Sequence, residues 1–212
     1  MKKLIKIVHI LNDFSVEEFD NESWEQAENV AIDKYWSGDP APIGRRSQVK
    51  LLWSQTALYV RFEANQTEPL NVNETPNLAS KTNELWNRDV CEIFIAPNRE
   101  EANKYFEFEI APTGEWIDIK IHLKPNGRLT DLNYDSGMQS AAKIETDKHW
   151  MTIKIDWKAF SKIPEVGEIW KGNLLRCVGS GKTRGYLSWQ PTKTKKPNFH
   201  VPAAFGDFEF GD

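Results

Sequence analysis

The chain has 212 residues, 40% hydrophobic and 27% charged, with a formal net charge of −4 and a pI near 5.7. That is ordinary globular composition. There is no basic excess of the kind nucleic-acid binders carry, since Lys193 to Lys196 is the one basic cluster, and no apolar stretch approaches the ~20 residues of a membrane-spanning helix. Nucleic acid and membrane are therefore not expected partners, and one all-β domain is expected to take up residues 1–212.

The N-terminal run from Met1 to Leu11 imitates a secretory leader, with lysines followed by apolar residues. Lys6 and His9 interrupt it and no small-residue cleavage site follows, so it is expected to be a first strand. Two cysteines, Cys91 and Cys177, sit in apolar segments without metal-binding spacing. Buried free thiols and a reducing, cytoplasmic setting are the expectation.

Beyond a polar stretch from Phe14 to Ala31, Ser23 to Glu28 reads as a short helical turn with Ser23 as its cap. From Gln48 the period changes to two. Val49–Trp53 and Ala57–Glu63, joined by Ser54-Gln55-Thr56, form a predicted hairpin. Ala64 to Glu84 then loses apolar periodicity and reads as a long loop, usually functional or mobile at that length.

Strands are predicted at Val90–Ala96, Tyr105–Ala111 and Trp116–His122. The second alternates Phe106, Phe108 and Ile110 with Tyr105, Glu107 and Glu109, which predicts one buried face and one solvated, acidic face. A second polar loop runs from Lys124 to Ser140. Further strands follow at Ala141–Thr146, Trp150–Asp156, Ile169–Val178, Gly185–Trp189 and Phe205–Phe210, with a helical turn at Trp157–Phe160. Many short strands joined by turns predict an antiparallel β-sandwich.

Trp86 stands where the long loop meets the strand from Val90, with Glu92 in that strand and Glu109 in the next. An indole beside carboxylates can hold a sugar ring, the ring's C–H face on the indole and its hydroxyls on the acids. Two carboxylates are also what a glycosidase needs, at a set separation. A rim tryptophan and solvated glutamates are the structural alternative. In the proline-bracketed loop near the C-terminus, Phe199 and His200 have no apolar period that would make them core, and loop aromatics are functional hints. Arg176 interrupts an apolar strand and needs either an ion-pair partner or a ligand. No Gly-x-Ser-x-Gly, P-loop, dinucleotide or His-Glu-x-x-His motif is present, and Gly179-Ser180-Gly181-Lys182-Thr183 lacks a P-loop's first glycine because position 176 is Arg.

Taken in order, several pieces resemble the family 9 carbohydrate-binding modules, sugar-binding β-sandwiches often appended to xylanases. They are the Trp24 region, the hairpin through Leu58-Tyr59-Val60, Trp86-x-x-Asp89-x-x-Glu92-Ile93-Phe94-Ile95, Tyr105-Phe106-Glu107-Phe108 with Pro112-Thr113-Gly114, Ile153 to Trp157, Ser188-Trp189, and Pro202-x-x-Phe205-Gly206. The resemblance runs from about Trp24 to the C-terminus. It implies two aromatics sandwiching a terminal sugar: Trp86, and Phe199 where the family usually has tryptophan. It makes Glu92 the family's acid and puts Glu109 where characterised sugar binders are basic, which points to a different ligand. A structural calcium accompanies some members, and the pattern of acids here leaves the metal undecided.

The expectation is thus non-catalytic binding of a saccharide or polysaccharide through Trp86, Glu92, Glu109, Arg176, Phe199 and His200. The alternatives are a glycoside hydrolase using Glu92 and Glu109, and an interaction domain with a decayed site in which Phe199 and His200 pack inward. The oligomeric state stays open.

Overall fold

A computed structural model describes residues 3–212; Met1 and Lys2, at the head of the leader-like run, lie outside the described residues. Fourteen strands are present among the described residues: β1 (Leu4–His9), β2 (Val30–Ile32), β3 (Lys34–Tyr35), β4 (Ser47–Trp53), β5 (Ala57–Asn65), β6 (Val90–Ala96), β7 (Lys104–Ile110), β8 (Trp116–Lys124), β9 (Gly127–Asp131), β10 (Gln139–Ile144), β11 (Lys148–Asp156), β12 (Ile169–Val178), β13 (Gly185–Ser188) and β14 (Gly206–Phe210). The helical segments are single 3₁₀ turns.

The strands pair as β10-β11-β5-β4-β1-β14-β12-β6-β7-β8-β9. This path is two sheets joined through β1, whose residues Leu4–Ile7 run parallel to β14 while Val8 and His9 run parallel to the end of β4. A strand that changes sheets is how a sandwich turns its corner. The edge of β12 is shared in the same way: Ile169–Gly172 pair with β14 and Leu175–Val178 with β13. At the gap between those partners, buried Asn173 donates from Nδ2 to Gln190 O and accepts at Oδ1 from Gln190 N, at 2.9 and 3.0 Å.

Between the sheets, Leu51, Val60, Phe62, Met151 and Ile153 meet Ile93, Phe108, Ile110 and Leu174. Each side chain of this size contributes roughly 1.5–3 kcal/mol when removed from water. The period-two pattern of the sequence reports this interface faithfully.

The second face of the β6-β7-β8 sheet departs from expectation. It is not solvated: Phe94, Tyr105, Ile117, Ile119, Leu175 and Phe205 form a further apolar layer. The 3₁₀ turn Leu85–Asn87 and the loop carrying Phe199 cover it. Every residue of β6 is therefore buried, and Glu107 and Glu109, expected in solvent, are 4% and 0% exposed.

Three further elements differ from expectation. The segment 124–140 contains the wholly exposed strand β9, which pairs with β8. β2 lies within the polar N-terminal stretch and pairs with β4. The early turn is Glu22–Gln26, capped by Asn21, whose side chain accepts from Ser23 N, rather than by Ser23.

Candidate functional site

A pocket of about 270 Å³ opens on the covered face, with Trp86, Glu92, Glu107, Phe199 and His200 among its walls. Four of the six residues singled out from sequence, Trp86, Glu92, Phe199 and His200, thus meet in one cavity although they come from three separate segments.

Trp86 lies in the turn Leu85–Asn87 and is only partly buried. Arg184 fixes this turn from behind. Its Nη2 donates to Trp86 O and Arg88 O at 2.6 and 2.7 Å, and its Nη1 donates to Gly179 O at 2.8 Å. Buried Asp89 ties in the neighbouring segments, accepting from Gly179 N (2.7 Å), Asn71 N (2.8 Å) and Gln66 Nε2 (2.7 Å). The residue before the turn, Glu84, takes φ +58°, a left-handed conformation uncommon outside glycine. The indole is therefore set by a strained, strongly bonded backbone.

Also lining the pocket, Phe199 is 8% exposed and meets Tyr186 edge to face, with ring centroids 6.0 Å apart. His200 stacks on Phe94 at 5.3 Å, and its Nδ1 is 2.7 Å from the Tyr105 hydroxyl. Burial lowers the His200 pKa to about 3, so the imidazole is neutral in the physiological range.

The floor is acidic. Glu92 in β6 lies directly across from Glu109 in β7, and Glu107, two residues earlier in β7, points to the same side. One oxygen from each of the three falls within 4.8 Å of the others. Glu92 accepts from Cys177 Sγ at 3.3 Å. Both oxygens of Glu109 and Oε2 of Glu107 lack a donor among the described residues. Removal from water, reinforced by Glu107, lifts Glu92 to about 8. Burial likewise raises Glu107, and burial followed by the charges of Glu92 and Glu107 raises Glu109 well above the carboxylate range. At neutral pH the group keeps protons, because three adjacent carboxylates in apolar surroundings cannot all ionise.

Arg176 is not part of this pocket. Leu175 pairs with Glu92, so Leu175 and Cys177 share the pocket face of β12 and Arg176 points the other way. Its Nη1 donates to Arg45 O, Arg46 O and Ser47 Oγ, and its Nη2 to Gln66 Oε1, at 2.8 to 3.2 Å. Those bonds satisfy a guanidinium that is 2% exposed. Glu109 also differs from expectation, since it lies behind the pocket floor and not on its surface. Glu92 and Glu109 are cross-strand neighbours within one sheet, whereas a glycosidase needs carboxyl groups flanking the scissile bond.

Calcium takes six to eight oxygen ligands. The three glutamates are the one group of three acids that converges on a point among the described residues, and around them Phe94, Ile119 and Cys177 bring no hard oxygen. The acid-and-carbonyl cage near Asp118 is filled by the protein's own Lys81. Its ammonium lies 2.5 Å from Asp118 Oδ1 and donates to the carbonyls of Asp118, Leu132 and Tyr134.

Residues 18–211 match the family model for carbohydrate family 9 binding domain-like proteins. The chain belongs to this family. Family 9 modules of Caldicellulosiruptor kristjanssonii, solved with cellotriose and with glucose, superpose with TM-scores of 0.65 and 0.67 at 19% and 18% identity. Each alignment covers 99% of this chain and 94% or 97% of the module. A Bacteroides uniformis protein provisionally described as carbohydrate-binding aligns over 99% of this chain and 100% of its own, with a TM-score of 0.78 and 17% identity. At the level of sequence, a protein of Arthroderma benhamiae named "Extracellular protein" is 20% identical over 179 residues, 78% of each chain.

Within the family 9 motif Trp86-x-x-Asp89-x-x-Glu92, the first and last residues reach the pocket and the middle one holds the backbone. Sequence reasoning missed Glu107, Arg128, Cys177 and Tyr186 as pocket residues. Tyr105 held a usable signal for Glu107: an aromatic in register with Glu107 and Glu109 is out of place on a solvated face. Arg128 offered none, because its strand is exposed throughout.

Proposed function

We propose that the chain is a non-catalytic carbohydrate-binding domain that takes a saccharide ring into the pocket walled by Trp86 and Phe199. One observation carries this reading: Trp86 and Glu92 line a single cavity with Phe199 and His200, which lie more than a hundred residues further along the chain. An apolar ring face can lie on the partly exposed indole while Glu92 and neutral His200 exchange hydrogen bonds with hydroxyls. Family membership and the sugars bound by the structural relatives support the same reading.

Isothermal calorimetry with pentoses, hexoses, uronates, amino sugars and their short oligomers tests it. Wild type is expected to bind at least one class, and Trp86→Ala to weaken that binding tenfold or more, about 1.4 kcal/mol. Failure of wild type to bind any of them sinks the proposal. That result would instead favour an interaction domain with a closed site, a reading motivated by the burial of Phe199 against Tyr186.

A further inference from the structure

The pocket floor avoids charge repulsion only by keeping protons, a role a bound cation can take over. Glu92 and Glu109 are cross-strand neighbours and Glu107 shares their face, an arrangement of like charges that disfavours the fold unless something neutralises it. The carboxylate of Glu109 is fully buried with both oxygens unpartnered, and Glu107 adds one more free oxygen. Only a shared proton can link these two side chains directly. Glu92 and Glu107 line the cavity, so the cluster is continuous with the space a ligand enters.

The protein's own cations do not answer this need. Arg184 lowers Glu92 and Glu109 from a distance, but its donors go to the carbonyls of Trp86, Arg88 and Gly179 and to Asp89 Oδ1 at 3.5 Å. Arg128 is exposed on β9 at the pocket wall, where it lowers Glu107 from a distance without bonding to it. Cys177 satisfies one oxygen of Glu92 as a neutral thiol, and Tyr105 is engaged with His200.

We propose that the floor receives a primary ammonium group carried by the ligand, which makes the preferred saccharide an amino sugar with a free amine. This rests on the saccharide-binding reading above and narrows it. A primary ammonium has three N–H donors and no acceptor, matching three carboxylates that converge within 4.8 Å. Aromatic walls from Trp86, Phe199 and Tyr186 also suit a cation, whose charge is attracted to the faces of such rings. A hard divalent ion would have to draw most of its six to eight oxygens from these same three acids, since the neighbouring Phe94, Ile119 and Cys177 supply none. The molecule already neutralises one buried acid in this way, with the Lys81 ammonium held by Asp118 and three carbonyls.

The test compares glucose, glucosamine and N-acetylglucosamine, with their β-1,4-linked dimers, by calorimetry at pH 6.5 on chelator-treated protein. Wild type is expected to bind the free amine at least tenfold more tightly than either neutral sugar. In Glu109→Gln, checked for native circular dichroism, the ratio of glucosamine to glucose affinity is expected to fall to near one. Equal affinity for glucose and glucosamine overturns this inference and leaves the saccharide reading intact. Absence of binding by all three, together with the rest of the sugar panel, overturns both. Tight calcium binding that blocks glucosamine and is lost in Glu109→Gln would assign the cluster to a divalent ion and also overturns it.

Discussion

Glu109 sits where water does not reach, directly across a strand from Glu92 and one pleat from Glu107. Its raised proton affinity makes the fold pH-dependent in an unusual direction. The three pKa values lie above those of the unfolded chain, near 4.3 for glutamate, and Glu92 reaches about 8. The native state therefore holds more protons. Its advantage is complete below the unfolded value and is lost as pH rises through the folded one, at up to about 1.4 kcal/mol per pH unit for each retained proton. Urea midpoints of wild type are expected to fall between pH 5 and pH 8 more steeply than those of Glu109→Gln; parallel curves would show the cluster to be ionised throughout. At this scale the sequence carried a good deal. Trp86, Glu92, Phe199 and His200 meet as their residue types suggested, whereas Arg176 misses because strand parity decides its side. One residue of register separates the pocket face of β12 from the inter-sheet face, and a single chain does not announce which partner its strand meets.

The segment between β5 and β6 reads as a structureless polar loop, yet it is pinned along its length by buried acids. Asp89 holds Gln66 and Asn71, Glu115 accepts from Asn73 and Thr82, and Asp118 pairs with Lys81. Asp118 is fully buried and the Lys81 side chain largely so. Removing one partner of such a pair leaves an uncompensated charge, at a cost of about 3–5 kcal/mol. Lys81→Met is expected to lose stability of that order in chemical denaturation, and Lys81→Met combined with Asp118→Asn to regain part of it. If the single variant costs less than about 1 kcal/mol, the pair does not hold the loop. None of these anchors shows in local pattern, because each acid sits in or beside a strand while its partner lies 18 to 42 residues earlier. Exposed β9 and short β2 were hidden for a related reason: neither has an apolar face of the length that periodicity detects.

Across the whole molecule, the sandwich follows from alternation in β4, β5, β7 and β11, where inter-sheet residues recur at every second position. The covering of the outer face does not follow from any strand, because it depends on a turn near residue 86 and a loop near residue 199 closing over the same surface. That closure turns an acidic stripe from a solvated face into a pocket floor. The pairing of β1 with β14 has a mechanical consequence. These strands run parallel, with Leu4 beside Asp207 and Ile7 beside Phe210, and the ladder is extended by Asp207 N to Lys3 O and Gly211 N to Ile7 O. A force applied between Lys3 and Gly211 therefore pulls along the ladder and loads its hydrogen bonds together instead of peeling them one by one. In single-molecule extension from those two points, the domain is expected to yield in one abrupt high-force event, whereas attachment across the β4–β5 turn and Lys3 should open it at lower force.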